Sequence, residues 1–162
     1  MWDIYIMRTA NVTDDDVARR GVHNTSQSYV VENSMYAFLA IRKETERKLR
    51  WDAMVEGAPF ELYIPKWRVP DVVSDRIKIT VLLEKEVSET RRVITRVQIR
   101  AQPHLRNNNI YARVKYIRDY TKTVRYDPIG LANNWEIGCP YIPKSILPDD
   151  FPKALQIVVQ WL

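Results

Sequence analysis

The sequence predicts one α+β domain, in which a mainly antiparallel sheet of about four to six strands carries helices on its flanks. Two observations lead to this prediction. The chain has 162 residues, 46% of them hydrophobic and 28% charged, which is the composition of a globular domain of ordinary size. Apolar segments with β-type alternation are separated by charged segments with helical spacing. The predicted order is β, α, β, β-hairpin, β, short α, loop and a terminal element.

The first elements come from residues 1–57. Residues 1–8 are predicted to form a short strand, and Thr13 is a suitable N-cap for a predicted short helix. The apolar and aromatic run at 34–41 predicts a central strand. The charged segment 42–57 is expected to be a helix, since oppositely charged side chains recur at a spacing of four residues and Gly57 is a natural C-terminal stop.

Residues 60–65 alternate as a strand, with Pro65 at a sheet edge or strand end. Residues 77–101 predict a hairpin whose turn lies near 86–90. Another strand follows an Asn-rich turn at 107–109. Residues 118–127 have the pattern of one or two helical turns. The last segment, from Asp150, fits a helix or a final strand.

Positive charge is concentrated in one part of the chain. The whole protein has a net charge of +5, but residues 91–125 hold ten basic residues and one acidic residue, a balance of +9. Such a segment attracts polyanions and suits nucleic acid. A solvated surface and an acidic protein partner are the alternatives. Aromatic residues among the basic ones suit base stacking, interface anchoring or simple core filling; they are Tyr63, Trp67, Tyr111, Tyr116 and Tyr126.

Residue types that commonly act in catalysis or bind metal ions are scarce in the sequence. The single cysteine, Cys139, cannot form an internal disulfide, and no histidine stands near it in sequence. His23 begins an H-x-T triplet, but His104 does not supply the second copy that two-histidine phosphoesterases need. We therefore predict no catalytic residue, metal, cofactor or small-molecule substrate, and no enzyme. No membrane span or signal peptide is predicted, and we expect a cytoplasmic protein with no membrane partner.

Several motifs, taken in order, resemble the N-terminal (NGN) domain of the transcription elongation factor NusG. Residues 35–70 are similar to its opening, and 63–68 (YIPKWR) fit its φ-Y-x-P-x-x-R strand. Residues 91–114 resemble its basic hairpin and the strand that follows. Residues 120–130 (YTKTVRYDPIG) and 137–147 (IGCPYIPKSIL) are similar to its last helix, turn and proline-containing stretch.

This resemblance covers about residues 34–155, is divergent, and does not include a KOW domain. It implies an NGN-like domain at 34–162 and an added arm or extra sheet edge at 1–33. It also implies a transcription regulator of the elongation or antitermination type, which binds the clamp region of RNA polymerase near upstream or non-template DNA. The alternative function is a stand-alone basic nucleic-acid-binding module or phage anti-defence protein.

Candidate site residues are carried over from the family by position. The polymerase-facing candidates are Tyr36, Tyr63, Pro65, Tyr111, Val124 and Ile129. The nucleic-acid-facing candidates are Arg68, Arg92, Arg96, Arg100 and Arg125. In physical terms, exposed aromatic side chains supply anchors, and the arginines steer the protein towards phosphate.

Overall fold

Eight antiparallel strands close into a barrel in the computed structural model, which describes residues 34–83 and 94–162. The strands are β1 (Ser34–Glu44), β2 (Lys48–Val55), β3 (Ala58–Pro65), β4 (Arg76–Leu83), β5 (Ile110–Asp119), β6 (Thr123–Pro128), β7 (Tyr141–Pro143) and β8 (Ala154–Trp161). Around the barrel their order is β1, β2, β3, β7, β6, β5, β8, β4 and back to β1. Within the described ranges there is one short α-helix, α1 (Arg96–Ala101), so the predicted α+β, NGN-like fold class is wrong.

The barrel interior is filled by apolar side chains that alternate with outward-facing ones along each strand. In β3 the alternate residues Phe60, Leu62 and Ile64 are all completely buried, which confirms the alternating strand predicted at 60–65. Trp51 of β2 packs edge-on against Trp161 of β8, with ring centroids 5.9 Å apart. An eight-stranded barrel is just wide enough for side chains to fill, and burial of this apolar surface is the main driving force for the fold.

The predicted helix at 42–57 is wrong, because this segment completes β1 and forms β2. Leu49, Trp51 and Val55 are buried at odd positions, whereas Arg50 and Asp52 lie between them on the outer surface. The alternation of buried and exposed residues, with its period of two, therefore determines the structure of this segment, and the four-residue spacing of its charges does not. Charges that could pair along a helix pair instead within and across strands, as between Arg50 and Asp52 at 2.8 Å.

A two-residue turn joins β2 to β3. Val55 pairs with Ala58, and the residues between them, Glu56 and Gly57, have φ angles of 48° and 78°. Positive φ at both central positions is the requirement of a type I′ hairpin turn, which matches the twist of the flanking strands. Gly57 therefore serves a hairpin and not a helix end.

The segments further along the chain also differ in part from prediction. Residues 96–101, expected as the second strand of a hairpin, form α1, which begins with a capping box between Thr95 and Gln98. The expected helical turns at 118–127 are the end of β5 and most of β6, and the terminal element is the strand β8. The strands predicted at 34–41 and after 107–109 are confirmed as β1 and β5. The predicted arm at 1–33 and turn at 86–90 lie outside the described residues.

One end of the barrel is covered by α1 and by the loops that flank it. Ile99 of α1 and Ile137 are each 1% exposed at this end. Arg68 ties three loops together, because its guanidinium donates to the Glu136 carboxylate and to backbone carbonyls at 106, 108 and 109. None of the helices in the described part of the chain has the length and apolar character that a membrane crossing requires.

Candidate nucleic-acid interface

Four neighbouring strands of the barrel, β1, β4, β8 and β5, lack acidic residues over most of their length. Residues 34–43, 76–83, 110–118 and 154–162 contain no Asp or Glu. Their outward positions instead carry basic, aromatic and amide side chains. We call this surface the cationic face; its principal members are Tyr36, Phe38, Arg76, Lys78, Tyr111, Arg113, Lys115, Gln156 and Gln160.

The strand register arranges this face in rows. Tyr36 of β1 pairs with Thr80 of β4. Thr80 pairs with Val158 of β8, which pairs in turn with Tyr111 of β5. The two tyrosines therefore stand in one row, three strand spacings or about 14 Å apart. An extended ligand lying across the strands would meet an aromatic side chain at each side of the face.

Cations of β4 lie on the aromatic rings of β1. The Lys78 Nζ is 4.6 Å from the centroid of the Tyr36 ring, and the Arg76 guanidinium carbon is 5.5 Å from that of Phe38. The two rings themselves meet edge to face, with centroids 5.8 Å apart. No salt bridge to Arg76 or Lys78 occurs within ranges 34–83 and 94–162, so their charges are held by ring contacts and are not neutralised by carboxylates there.

We call the other four strands, β2, β3, β7 and β6, the paired half, because several of their basic residues are paired with carboxylates. Asp52 of β2 lies 2.8 Å from Arg50 on the same strand and 3.0 Å from Arg42 at the end of β1, measured between nitrogen and oxygen. On β6 the Arg125 Nε donates to Asp127 at 2.8 Å, and this hydrogen bond raises the pKa of Arg125. Carboxylates cancel much of the positive field on this side. Among the described residues, carboxylates therefore offset less of the positive charge of Arg76 and Lys78 than of the basic residues on the paired half.

Cys139 lies beside the Arg125 and Asp127 pair. Its Sγ is 3.6 Å from an Arg125 nitrogen, but burial, followed by the hydrogen bond to Asp127, raises the pKa of the thiol above its usual value. A protonated thiol is a poor nucleophile and a poor metal ligand. Among the described residues, no group of three or more His, Cys, Asp or Glu side chains could hold a metal ion.

The structure separates the arginines that the resemblance assigned to nucleic acid. Arg68 is 0% exposed and fully engaged inside the covered end, so it cannot reach a phosphate in this fold. Arg96 and Arg100 are exposed on α1, with Arg96 6.0 Å from the Trp67 ring centroid. Arg125 is half-buried and paired with its carboxylate, and Arg92 lies outside the described residues.

The predicted polymerase-facing residues also fall on different parts of the barrel. Tyr36 and Tyr111 share the cationic face. Tyr63 lies on the paired half, where its side-chain hydrogen bond to Arg50 raises the pKa of that guanidinium. Val124 is completely buried in the interior, while Ile129 is 45% exposed just after β6. Pro65 ends β3, opposite Lys48, and lies on the paired half with Tyr63. These six residues do not form one surface.

Sequence reasoning missed the two cations and the ring at the centre of the cationic face. Phe38 and Lys78 lie in predicted strands and Arg76 directly precedes one, but none of the three received a functional interpretation, because the excess of positive charge is greatest at 91–125. A usable signal was present in the sequence. Basic residues at alternate positions of a strand, with no acidic residue in the same strand, indicate a surface whose charge is not internally neutralised.

No protein-family model matches the chain, and no curated protein matches it. Neither comparison therefore supports the resemblance to the NusG domain.

Proposed function

We propose that this protein binds nucleic acid on the cationic face. The observation that carries the proposal is the combination of Arg76, Lys78 and Lys115 with the rings of Tyr36 and Phe38 on strand segments that contain no acidic residue. Basic groups attract the phosphate backbone and release its counterions, and aromatic side chains hold bases by stacking. Polar, uncharged neighbours such as Gln160 offer hydrogen bonds to sugar and base edges without repelling phosphate.

The number of cations sets the expected dependence on salt. If Arg76, Lys78 and Lys115 each neutralise one phosphate, the slope of log K against log salt is about −2 to −3. Affinity would then fall about 20- to 40-fold between 50 mM and 200 mM salt. An acidic protein partner would give no comparable counterion release, so the slope distinguishes the two kinds of ligand.

The test is an anisotropy titration of a labelled, mixed-sequence oligonucleotide over that range of salt. We expect the double variant R76Q/K78Q to bind more weakly at low salt and to lower the slope by about 1.5, since two of three phosphate contacts are gone. The matched control is R50Q/K122Q, which removes the same charge away from the cationic face, from one carboxylate-paired cation of β2 and one exposed cation. Equal losses in both variants would show a general charge effect and contradict the proposed face.

A further inference from the structure

We infer that the nucleic acid bound on the cationic face is single-stranded, an inference that rests on the proposed function and specifies its ligand. The face offers rings as well as charges. Duplex nucleic acid presents phosphates at its surface, but the faces of its bases are already stacked on one another. The rings of Tyr36 and Phe38 can therefore add affinity only for a strand whose bases are free to leave the stack.

The spacing of the two rings supports this choice. Their centroids are 5.8 Å apart, whereas successive bases in a duplex strand rise by about 3.4 Å. The rings also meet at an interplanar angle of 78°, so they cannot continue one regular stack of parallel bases. Bases that occupy both rings must be separated and turned relative to each other. A flexible single strand adopts that arrangement readily, and a duplex would first have to be opened.

The cations on the rings give a mechanism of exchange. In the free protein Lys78 lies over Tyr36 and Arg76 lies near Phe38, so each ring interacts with a cation of β4. When a base stacks on a ring, the flexible basic side chain moves from the ring to the phosphate of the same nucleotide. Both partners of the cation–ring contact then have a new partner. With a duplex the cation gains a phosphate, but the ring it leaves gains nothing.

The position of the pairs makes the exchange local. Phe38 pairs with Lys78 across the β1–β4 ladder, while Lys78 reaches diagonally to the Tyr36 ring and Arg76 to the Phe38 ring. Each cation of β4 thus contacts a ring on the neighbouring strand β1, and neither strand needs to move for the contact to break. Side-chain rotation is sufficient, and the barrel serves as a rigid support for binding.

The experiment compares one labelled oligonucleotide as a single strand and as its own duplex, at 100 mM salt with the wild-type protein. We expect the single strand to bind at least about 10-fold more tightly, since each stacked base contributes a factor of about 5 to 150. The variant Y36L/F38L keeps the basic residues and should lose this preference while it still binds the duplex. The control Y120L removes a ring from the β5–β6 turn and should retain the preference.

The outcomes separate the two proposals. Equal wild-type affinity for single strand and duplex, with a steep salt dependence, would overturn the single-strand inference and leave nucleic-acid binding standing. Absence of binding to either form at low salt would overturn both. The wild-type comparison needs no variant, so it decides the question even if Y36L/F38L is poorly folded. Circular dichroism melting identifies that case.

Discussion

Replacing Arg68 by methionine should destabilise the barrel severely and in a pH-dependent way. Arg68 is completely buried, and its Nε donates to the Glu136 carboxylate at 2.8 Å. Its two terminal nitrogens donate to the carbonyl oxygens of Arg106, Asn108 and Asn109 at 2.8, 2.9 and 3.2 Å. Methionine has a similar length but no donor. The variant R68M therefore leaves one buried carboxylate and several carbonyls without this partner.

The expected cost follows from those lost contacts. Breaking a buried ion pair by removing one partner costs about 3–5 kcal/mol, because the remaining charge is uncompensated. Each carbonyl that finds no water adds about 1–3 kcal/mol. Since whole domains are stable by about 5–15 kcal/mol, R68M is expected to lose most of its free energy of unfolding at neutral pH.

The sign of the pH dependence comes from Glu136. Burial already raises the pKa of this carboxyl above its usual value, and the hydrogen bond from Arg68 acts in the opposite direction. Without Arg68 the pKa must rise further. Between the ordinary pKa of an unfolded Glu, about 4.3, and the raised folded value, the folded state binds more protons than the unfolded state. The penalty of R68M is thus largest above the folded pKa and shrinks as the pH falls towards 4.

Urea unfolding followed by tryptophan fluorescence, at pH values from 4.5 to 8 and constant ionic strength, measures this effect. The double variant R68M/E136L removes the stranded charge and should recover part of the loss and flatten its pH dependence. R42M, at a side chain that is 54% exposed, should change stability by less than about 0.5 kcal/mol. A loss in R68M below about 1 kcal/mol, or one that is constant with pH, would refute the reasoning.

Three further predictions concern a turn, a cap and a partner. Glu56 has a φ of 48°, which asparagine adopts more easily than glutamate. The variant E56N should therefore raise the free energy of unfolding, measured in thermal melts, by about 0.5 kcal/mol. An unchanged or lower value would contradict the turn type. The Thr95 hydroxyl accepts a hydrogen bond from the Gln98 backbone at 3.3 Å. The variant T95A should therefore lower the free energy of unfolding in urea by about 1 kcal/mol. A change near zero would show that the cap is dispensable. The polymerase prediction is tested by capture from nuclease-treated lysate, in which wild type should recover the large polymerase subunits. Because Tyr63 and Tyr111 lie on different halves of the barrel, each is replaced alone in a folded variant, and a residue whose replacement leaves capture unchanged is removed from the predicted patch.

The sequence predicted individual strands better than it predicted how they associate. The strand at 60–65 was recognisable because alternation and burial coincide there. The segment 42–57 was misassigned because charges four residues apart fit a helix and a twisted strand equally, and only the buried alternation of Leu49, Trp51 and Val55 separates the two. That one error removed a strand from the expected sheet. Barrel closure depends on pairings between distant segments, which local patterns do not encode.

The candidate site shows the same division between local and distant information. The excess of basic residues at 91–125 was visible in the sequence, but the fold distributes its described members among α1, the segment between α1 and β5, β5, β6 and the turn that joins these two strands. Arg68 was chosen through a local motif, but its side chain is buried at the covered end of the barrel, where it donates a hydrogen bond to Glu136. In contrast, Arg76 and Lys78 had no motif, and they become part of a site only because β4 lies between β1 and β8.

The lack of acidic residues on the cationic face is difficult to explain by folding alone. On the paired half, Asp52 and Glu61 lie opposite each other across β2 and β3 with Arg50 within 3.8 Å of both carboxylates, so outward carboxylates are fully compatible with this barrel. Placing a carboxylate opposite Lys78 would add a cross-strand ion pair at no cost to the interior. Four strands that are remote in sequence nevertheless omit it. A requirement to attract an anion would account for that shared omission, and the proposed binding of phosphate beside the rings of Tyr36 and Phe38 would satisfy it.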